Sequence, residues 1–315
     1  MILRIPQSGW RIFILSTVDN KKTLTVFTPA YNRAHTLSRT FESLCNQDCK
    51  DFIWLIIDDG SKDNTSELVK EWMKQDNGFK IRYIYKENGG MHTAHNVAYE
   101  NIDTELNVCI DSDDRLANGA ISAILAKWNE IKSENRFAGI IALDADFDGN
   151  IIGKGFEKDC HETTLGNYYA KGGAGDKKLI YRTDVIKEYP PYPVFKNEKY
   201  VGLGSLYTLI DQKYTLAVLD KIVCEVEYQG DGSTHTMYKQ YLTNPRGFAY
   251  IRRIGLTYSH SFPYLCKTAI HYVSSCLIAH DLKDLFNVPH KALVALMFPF
   301  GLLWTLYVWW RGHKQ

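Results

Sequence analysis

Four times between Thr23 and Trp128 the chain repeats one pattern: a short β-rich apolar run stops in a polar loop, and an amphipathic helical stripe follows. Thr23–Thr28 stops at Pro29-Ala30-Tyr31-Asn32-Arg33. Phe52–Ile57, unbroken by a polar residue, stops at Asp58-Asp59-Gly60-Ser61. Ile81–Tyr85 stops at Lys86-Glu87-Asn88-Gly89-Gly90, and Val108–Ile110 stops at Asp111-Ser112-Asp113-Asp114. The stripes between them (Leu37, Phe41, Leu44, Cys45; Leu68, Val69, Trp72, Met73; Ala94, Val97, Ala98; Ile121, Ile124, Leu125, Trp128) have helical spacing. Strands joined through helices need crossovers, and crossovers make neighbouring strands parallel. A strand that is apolar throughout is covered on both faces. The pattern therefore predicts an α/β fold built on a doubly wound, mostly parallel sheet.

Such sheets bind ligands beyond the carboxyl ends of their strands. Two of these ends are acidic: Asp58-Asp59, and Asp111, Asp113 and Asp114. Carboxylates crowded together repel, and a hard cation or a cationic ligand relieves them. Taken alone, D-S-D-D is explained equally well as a solvated cap on the next helix. No G-x-G-x-x-G follows the first strand and no G-x-x-x-x-G-K-[ST] occurs, so a bound phosphate would be held mainly through a divalent ion. Oxygen ligands alone indicate Mg2+ or Mn2+.

After the strand expected at Ala138–Leu143 the pattern loosens. Ala138–Leu143, Leu179–Arg182 and Val218–Tyr228 read as strands, Phe147-Asp148-Gly149-Asn150 as a hairpin turn, and Leu203–Lys213 as a helix. The expected organisation is an extension at 1–21, a catalytic domain at 22–232 whose halves at 22–125 and 126–232 hold nucleotide and acceptor, and a helical region at 233–315. With 37 basic and 36 acidic residues, the charge balance makes no case for nucleic acid. The seven cysteines, at 45, 49, 109, 160, 224, 266 and 276, form no C-x-x-C pair, which suits reduced thiols in a cytosolic setting. No secretory leader is evident at the start of this sequence. Ala292–Trp310 is free of charge and closes on Arg311, His313 and Lys314, with Pro299-Phe300-Gly301 in its middle. The expectation is a kinked, membrane-surface or partly inserted helix pair, with Trp304, Tyr307, Trp309 and Trp310 as interface residues. A kinked single span and a buried helix are the alternatives.

Thr25–Arg33, Ile57–Thr65, Asn88-Gly89-Gly90 with Ala94-x-Asn96-x-Ala98, and Asp111-Ser112-Asp113-Asp114 stand in this order, and together they resemble the family 2 glycosyltransferases of glycosyltransferase-A fold. The resemblance is strong over about residues 22 to 125 and weakens to about 232. It implies a non-processive, inverting transfer of a sugar from a nucleotide diphosphate donor, most often a UDP-sugar, to a saccharide or lipid-linked acceptor of a surface glycan. The place of work would be the cytoplasmic face of the cell membrane. It implies that Pro29, Ala30 and Tyr31 line the nucleotide pocket, that Asp58 accepts from the base, and that Asp59 supports its loop. Asn88 and Ser112 join the donor contacts. Asp113 would ligate Mn2+ or Mg2+, and Asp111 the ribose or the metal, with Asp114 in either role.

The family's base falls in an acidic motif well after D-x-D. Here that stretch is Pro190–Tyr200, where Glu198 is the acid and Lys199, expected to pair with it, stands where an Asp is frequent. Asp144 and Asp146 are the alternative bases. His92 and His95 would touch phosphate or pack, and Gly230-Asp231-Gly232-Ser233 with His235 resembles a loop that closes over the donor. The competing readings are a non-catalytic glycan- or nucleotide-binding subunit, kept open by Lys199, and a sugar nucleotidyltransferase, which would carry a Gly-rich basic loop where Thr28–Arg33 stands.

Overall fold

The computed structural model describes residues 11–13 (backbone), 22–227, 237–259 and 261–314. The expected loop at Gly230–Ser233 with His235, and Tyr228 at the end of the last strand, lie outside these residues. Two compact units emerge. The first comprises the described residues of Met1–Gly89, Ala94–Pro190 and Lys213–Glu227; the second comprises those of Gly90–Thr93, Pro191–Gln212 and Tyr228–Gln315. These units are interleaved along the chain. Residues 191–212 belong with the C-terminal helices because they pack on them.

The first unit holds the sheet. Its strands are Arg11–Phe13 (β1), Leu24–Ala30 (β2), Phe52–Asp58 (β3), Lys80–Tyr85 (β4), Leu106–Cys109 (β5), Arg115–Leu116 (β6), Phe137–Ala145 (β7), Glu162–Thr163 (β8), Lys177–Arg182 (β9) and Thr215–Glu225 (β10). The spatial order is β1-β4-β3-β2-β5-β9-β7-β10-β6, with β8 also on β10. β2, β3, β4, β5, β7 and β10 run the same way, and β1, β6, β8 and β9 run against them. The sheet is thus mostly parallel, with four antiparallel strands among those described. Helices α1 (Ala34–Cys45), α2 (Thr65–Trp72), α3 (Met91–Asn101) and α4 (Ala120–Ile131) make the crossovers.

Period-two alternation divides the apolar strands between two cores. Val26, Trp54, Ile56, Ile81 and Val108 pack with Leu37 and Leu44 of α1, Val69 and Trp72 of α2, and Ile121, Ile124 and Trp128 of α4. Phe27, Leu55, Ile57 and Ile84 point the other way, onto Ala94, Val97 and Ala98 of α3 and onto Ile102. Covering on both faces explains why Phe52–Ile57 contains no polar residue. The hairpin at 146–150 is set by Asp146, whose carboxylate accepts from the backbone N–H of Asp148 and of Asn150, with Gly149 at φ +86°. Short helices α5 (Leu165–Ala170) and α6 (Thr183–Lys187) complete the unit.

The second unit is helical: α7 (Gly204–Ile210), α8 (Met237–Thr243), α9 (Pro245–Tyr258), α10 (Phe262–Ile278) and α11 (Lys291–Gly312). Leu256, Leu265, Ala269, Tyr272, Val273, Cys276 and Val294 form its core. The helix pair expected to break at Pro299 is instead one continuous helix of 22 residues. A single Pro removes one backbone hydrogen bond, and the helix continues through it. Gly301 serves close packing: a Cβ there would lie 2.4 Å from Val273 Cγ1 of α10. Val294, Gly301, Val308 and Gly312 are buried, whereas Leu296, Phe300, Leu303, Leu306 and Trp310 are exposed. By length and composition α11, with a mean hydropathy of 1.8, is apolar enough to cross a membrane.

Candidate active site

The register aligns the loops that matter. Ala30 of β2 lies beside Asp58 of β3, and Asp58 beside Tyr85 of β4. Phe27 lies beside Cys109, which puts Asp111 just past the end of β5, next to the end of β2. From β2 the chain proceeds outward to β3 and β4 on one side, while β5 adds on the other. The β2–β5 boundary is therefore the topological switch point, the place where an open α/β sheet leaves a crevice.

Backbone and side chains lock the β2 and β3 loops together. Asp59 N–H donates to Ala30 O at 2.8 Å, Asn32 N–H to Ser61 Oγ at 2.9 Å, and Lys62 N–H to Asn32 Oδ1 at 2.8 Å. Asn32 sits at φ +53°, a conformation asparagine tolerates better than most residues. Pro29 and Ala30 are buried; Tyr31 is exposed. Asp58 is wholly buried, with Oδ1 accepting from Ser61 N–H at 2.7 Å and Oδ2 from the Tyr83 hydroxyl at 2.5 Å. Burial and that carboxylate together push the Tyr83 hydroxyl well above its usual range. Asp59 takes the Lys86 ammonium, the Gly89 N–H at 3.0 Å and the Asn88 amide at 3.1 Å. Its carboxylate thereby fixes the course of the 86–89 loop. Asn88 donates again to Asp59 O at 2.8 Å.

The acids after β5 are held differently. Asp114 N–H closes a turn onto Asp111 O at 3.1 Å, and Thr40 of α1 donates to Asp114 O at 2.7 Å. Cys109 Sγ approaches Asp111 Oδ1, and Cys224 Sγ approaches Asp114 Oδ2, each at 3.8 Å. Burial, with adjacent carboxylates, raises both thiols well above their ordinary value, so they stay protonated and act as weak donors. Asp113 accepts no side-chain or backbone hydrogen bond from another described residue. Burial, and then Asp111, push its carboxyl up despite the attraction of Arg33 and Arg39. Burial drives Asp114 up to about 7 against the pull of Lys178, with Asp111, Asp113 and Asp144 adding to the rise.

Asp144, near the end of β7, is 2% exposed, and burial raises it to about 6. Lys178 was not among the residues singled out in the sequence. It lies 4.0 Å from Asp114 and 3.8 Å from Asp144. Asp146, the other alternative base, is engaged in the hairpin turn.

A donor set of oxygens with unmet negative charge is one a hard divalent cation satisfies, so the residues present fit Mg2+ or Mn2+. Among the described residues no three acidic, histidine or cysteine side chains converge as a ready metal cage. Asp111 and Asp113 would thus be completed by ligand oxygens.

Glu198 lies in the second unit. Its Oε1 accepts from Arg246 N–H at 3.1 Å and its Oε2 from Gly247 N–H at 2.9 Å, at the first turn of α9. The expected pairing with Lys199 is not formed: the carboxylate takes the free N–H groups of a helix start, where a negative charge is also favoured by the helix dipole. Lys199 N–H meanwhile donates to Asn244 Oδ1 at 2.7 Å. Tyr200 stacks on Phe248 at 4.7 Å, and Gly247 admits the Tyr200 carbonyl where a Cβ would sit at 1.9 Å. His92 and His95 are both buried, and His95 packs edge-on against Phe27 at 5.0 Å.

Residues 25–173 match the family described as Glycosyl transferase family 2. A GalNAc(5)-diNAcBac-PP-undecaprenol beta-1,3-glucosyltransferase of Campylobacter jejuni is 31% identical over 138 residues, 43% of this chain and 44% of that protein. The chain thus spans less than half the length of that relative. Among solved structures, Staphylococcus aureus TarS 1–349 in complex with UDP-GlcNAc is similar with a TM-score of 0.56 at 17% identity, covering 89% of each chain. Mannosyltransferase PcManGT from Pyrobaculum calidifontis, in complex with GDP-Man and Mn2+, gives 0.54 at 14% identity, covering 91% of this chain and 84% of that one. At such identities the likeness establishes the fold, that of the glycosyltransferase-A structures. Residues 25–173, which contain the ends of β2, β3, β5 and β7 and every acid that stands there, form a domain of glycosyl transferase family 2.

Proposed function

We propose that this protein transfers a sugar, with inversion, from a nucleotide diphosphate donor to a hydroxyl of a saccharide or lipid-linked acceptor in surface-glycan synthesis. The observation that supports this most is the convergence of Ala30–Tyr31, Asp58–Asp59 and Asp111–Asp114 at the β2–β5 switch point. Pro29, Ala30 and Tyr31 line the nucleotide side, and Asp58 and Asp59 shape it. The donor is proposed to be a UDP-sugar, as in the complex of the TarS neighbour.

Asp113 and Asp111 would hold Mn2+ or Mg2+. When bound, the ion supplies electrostatic stabilisation to the negative charge that grows on the leaving diphosphate. Asp113 suits that task because its carboxylate accepts no hydrogen bond from another described residue and feels only the attraction of Arg33 and Arg39. Asp58 does not, since both its oxygens are already engaged.

An inverting transfer needs a carboxylate to take the acceptor proton. Glu198 is proposed for it on the resemblance, although the same carboxylate also anchors α9. Asp144 is the second candidate, with a carboxyl at about 6 and Lys178 beside it. Comparing Glu198→Gln with Asp144→Asn decides between them: the variant that retains donor binding and the wild-type melting temperature while losing transfer identifies the base.

The exposed apolar residues of α11 support docking on a membrane, and the resemblance alone places it at the cytoplasmic face, where a lipid-linked acceptor would reside. Leu303→Glu with Leu306→Glu should shift the protein from the membrane to the soluble fraction, and an unchanged distribution would remove the membrane claim. For the activity itself, nucleotide sugars, Mn2+ and lipid-linked acceptors are combined with the protein and nucleoside diphosphate release is measured. Release requiring both metal and acceptor is expected. None across a broad panel would favour a glycan- or nucleotide-binding subunit.

A further inference from the structure

β9 runs antiparallel to both β5 and β7, so its first residues lie at the carboxyl ends of those strands. The register sets Ile180 beside Val108 and Lys178 beside Ala142. Adjacent lysines of one strand point to opposite faces. Lys177 turns to the backbone, donating to the carbonyls of Ile152, Ala174 and Asp176 at 3.0, 3.2 and 3.0 Å. Lys178 turns to the acids. Its side chain is 12% exposed, and the two carboxylates it approaches, Asp114 and Asp144, are 8% and 2% exposed. At 3.8–4.0 Å these are ion pairs without a direct hydrogen bond. Asp144 Oδ1 is buried without a hydrogen-bond partner, so the ammonium is what compensates it.

Four carboxylates therefore share the ends of β5 and β7: Asp111, Asp113, Asp114 and Asp144. The lysine answers the inner two, and Arg33 and Arg39 attract Asp113 from the α1 side.

We propose that Lys178 is a built-in counter-cation that divides this cluster, holding Asp114 and Asp144 so that a divalent ion is confined to Asp111 and Asp113 and a second ion is excluded. It is a positioning residue and touches neither donor nor acceptor in this role. The inference rests on the reading of Asp111 and Asp113 as the divalent-ion ligands.

The test is Mn2+ binding to the full chain at pH 8, without donor or acceptor, counted by electron paramagnetic resonance of the free ion. The wild type should bind one Mn2+ per chain, Lys178→Arg also one, and Asp113→Ala none. Lys178→Met should bind two, or bind the first at least tenfold more tightly. Lys178→Met with Asp144→Asn, which removes one charge of each sign, should return to one ion. Should Lys178→Met not fold, the wild type and the double variant still decide, because two ions in either overturn the proposal. One ion at unchanged affinity in a folded Lys178→Met overturns the lysine's role alone. No ion bound by the wild type would bring down the Asp111–Asp113 reading, and this role with it.

Discussion

Two sets of carboxylates stand on one edge of the sheet and are held in opposite ways. Asp58 and Asp59, after β3, have their oxygens taken up by Ser61, Tyr83, Lys86, Asn88 and Gly89. Asp111, Asp113 and Asp114, after β5, have two weak thiol donors, one lysine beside Asp114 and the attraction of Arg33 and Arg39 on Asp113. Asp58, Asp59 and Asp114 are buried, whereas Asp111 and Asp113 are half-buried and so more open to a ligand. The first set has exchanged water for hydrogen-bond donors, which makes a carboxylate a fixed architectural part. The second has few donors in place of the water it has lost, and burial first, then the neighbouring carboxylates, push Asp113 and Asp114 upward. A sheet edge that spends donors on one acidic loop and withholds them from its neighbour leaves the neighbour to a ligand.

Substitution should break this contrast in two directions. Asp113→Ala should lower transfer by about 10³-fold or more, the scale of losing a main electrostatic contact in the transition state. The melting temperature should stay within about 2 °C of wild type, because the substitution removes a charge the fold disfavours. Residual activity near wild type would show that Asp113 is no ligand. Asp58→Ala should do the reverse to the fold. It strands the Ser61 N–H and the Tyr83 hydroxyl, at a cost of about 2–4 kcal/mol, and for a chain of this size lowers the melting temperature by roughly 3–6 °C. Calorimetry in the presence of a chelator checks it; an unchanged melt would mean that water substitutes for the carboxylate.

The first set and the D-x-D acids were legible in the sequence because each follows an abrupt change from apolar to acidic within one strand, as at Ile57-Asp58 and Ile110-Asp111. That change marks both the strand end and the sheet edge. Lys178 gave no such sign. Its strand is antiparallel, so the end at the site is its beginning, and a pattern reader expects function at the opposite end. The anchoring of Glu198 was hidden for another reason: its partners are backbone N–H groups 48 and 49 residues away, and side-chain identity does not encode them. The two-residue strands β6 and β8 lack enough residues to show a period. Pro299 by itself predicts a kink, whereas α11 continues through it and packs on α10 at Gly301.

The smallest effect sharpens the contrast within the second set. In the fold Asp114 gives up its proton at about 7 against a reference of 3.8. A folded-state value above the unfolded one means that the folded chain holds an extra proton between the two. The associated stability is fully present below the unfolded value and is lost as pH rises through about 7. Asp114→Asn imitates the protonated form at every pH. With chelator present, wild type and variant should therefore be closest in stability near pH 4.5. By pH 8 the variant should be the more stable, by about 1–3 kcal/mol, a range kept below the full shift because Asp144 and Lys178 share the titration. Subtracting one curve from the other removes every group the two proteins have in common, so the difference belongs to this carboxylate and its neighbours. A flat difference from pH 4.5 to 8 would mean that Lys178 fully compensates Asp114, so that its carboxyl titrates in the fold as it does in the unfolded chain.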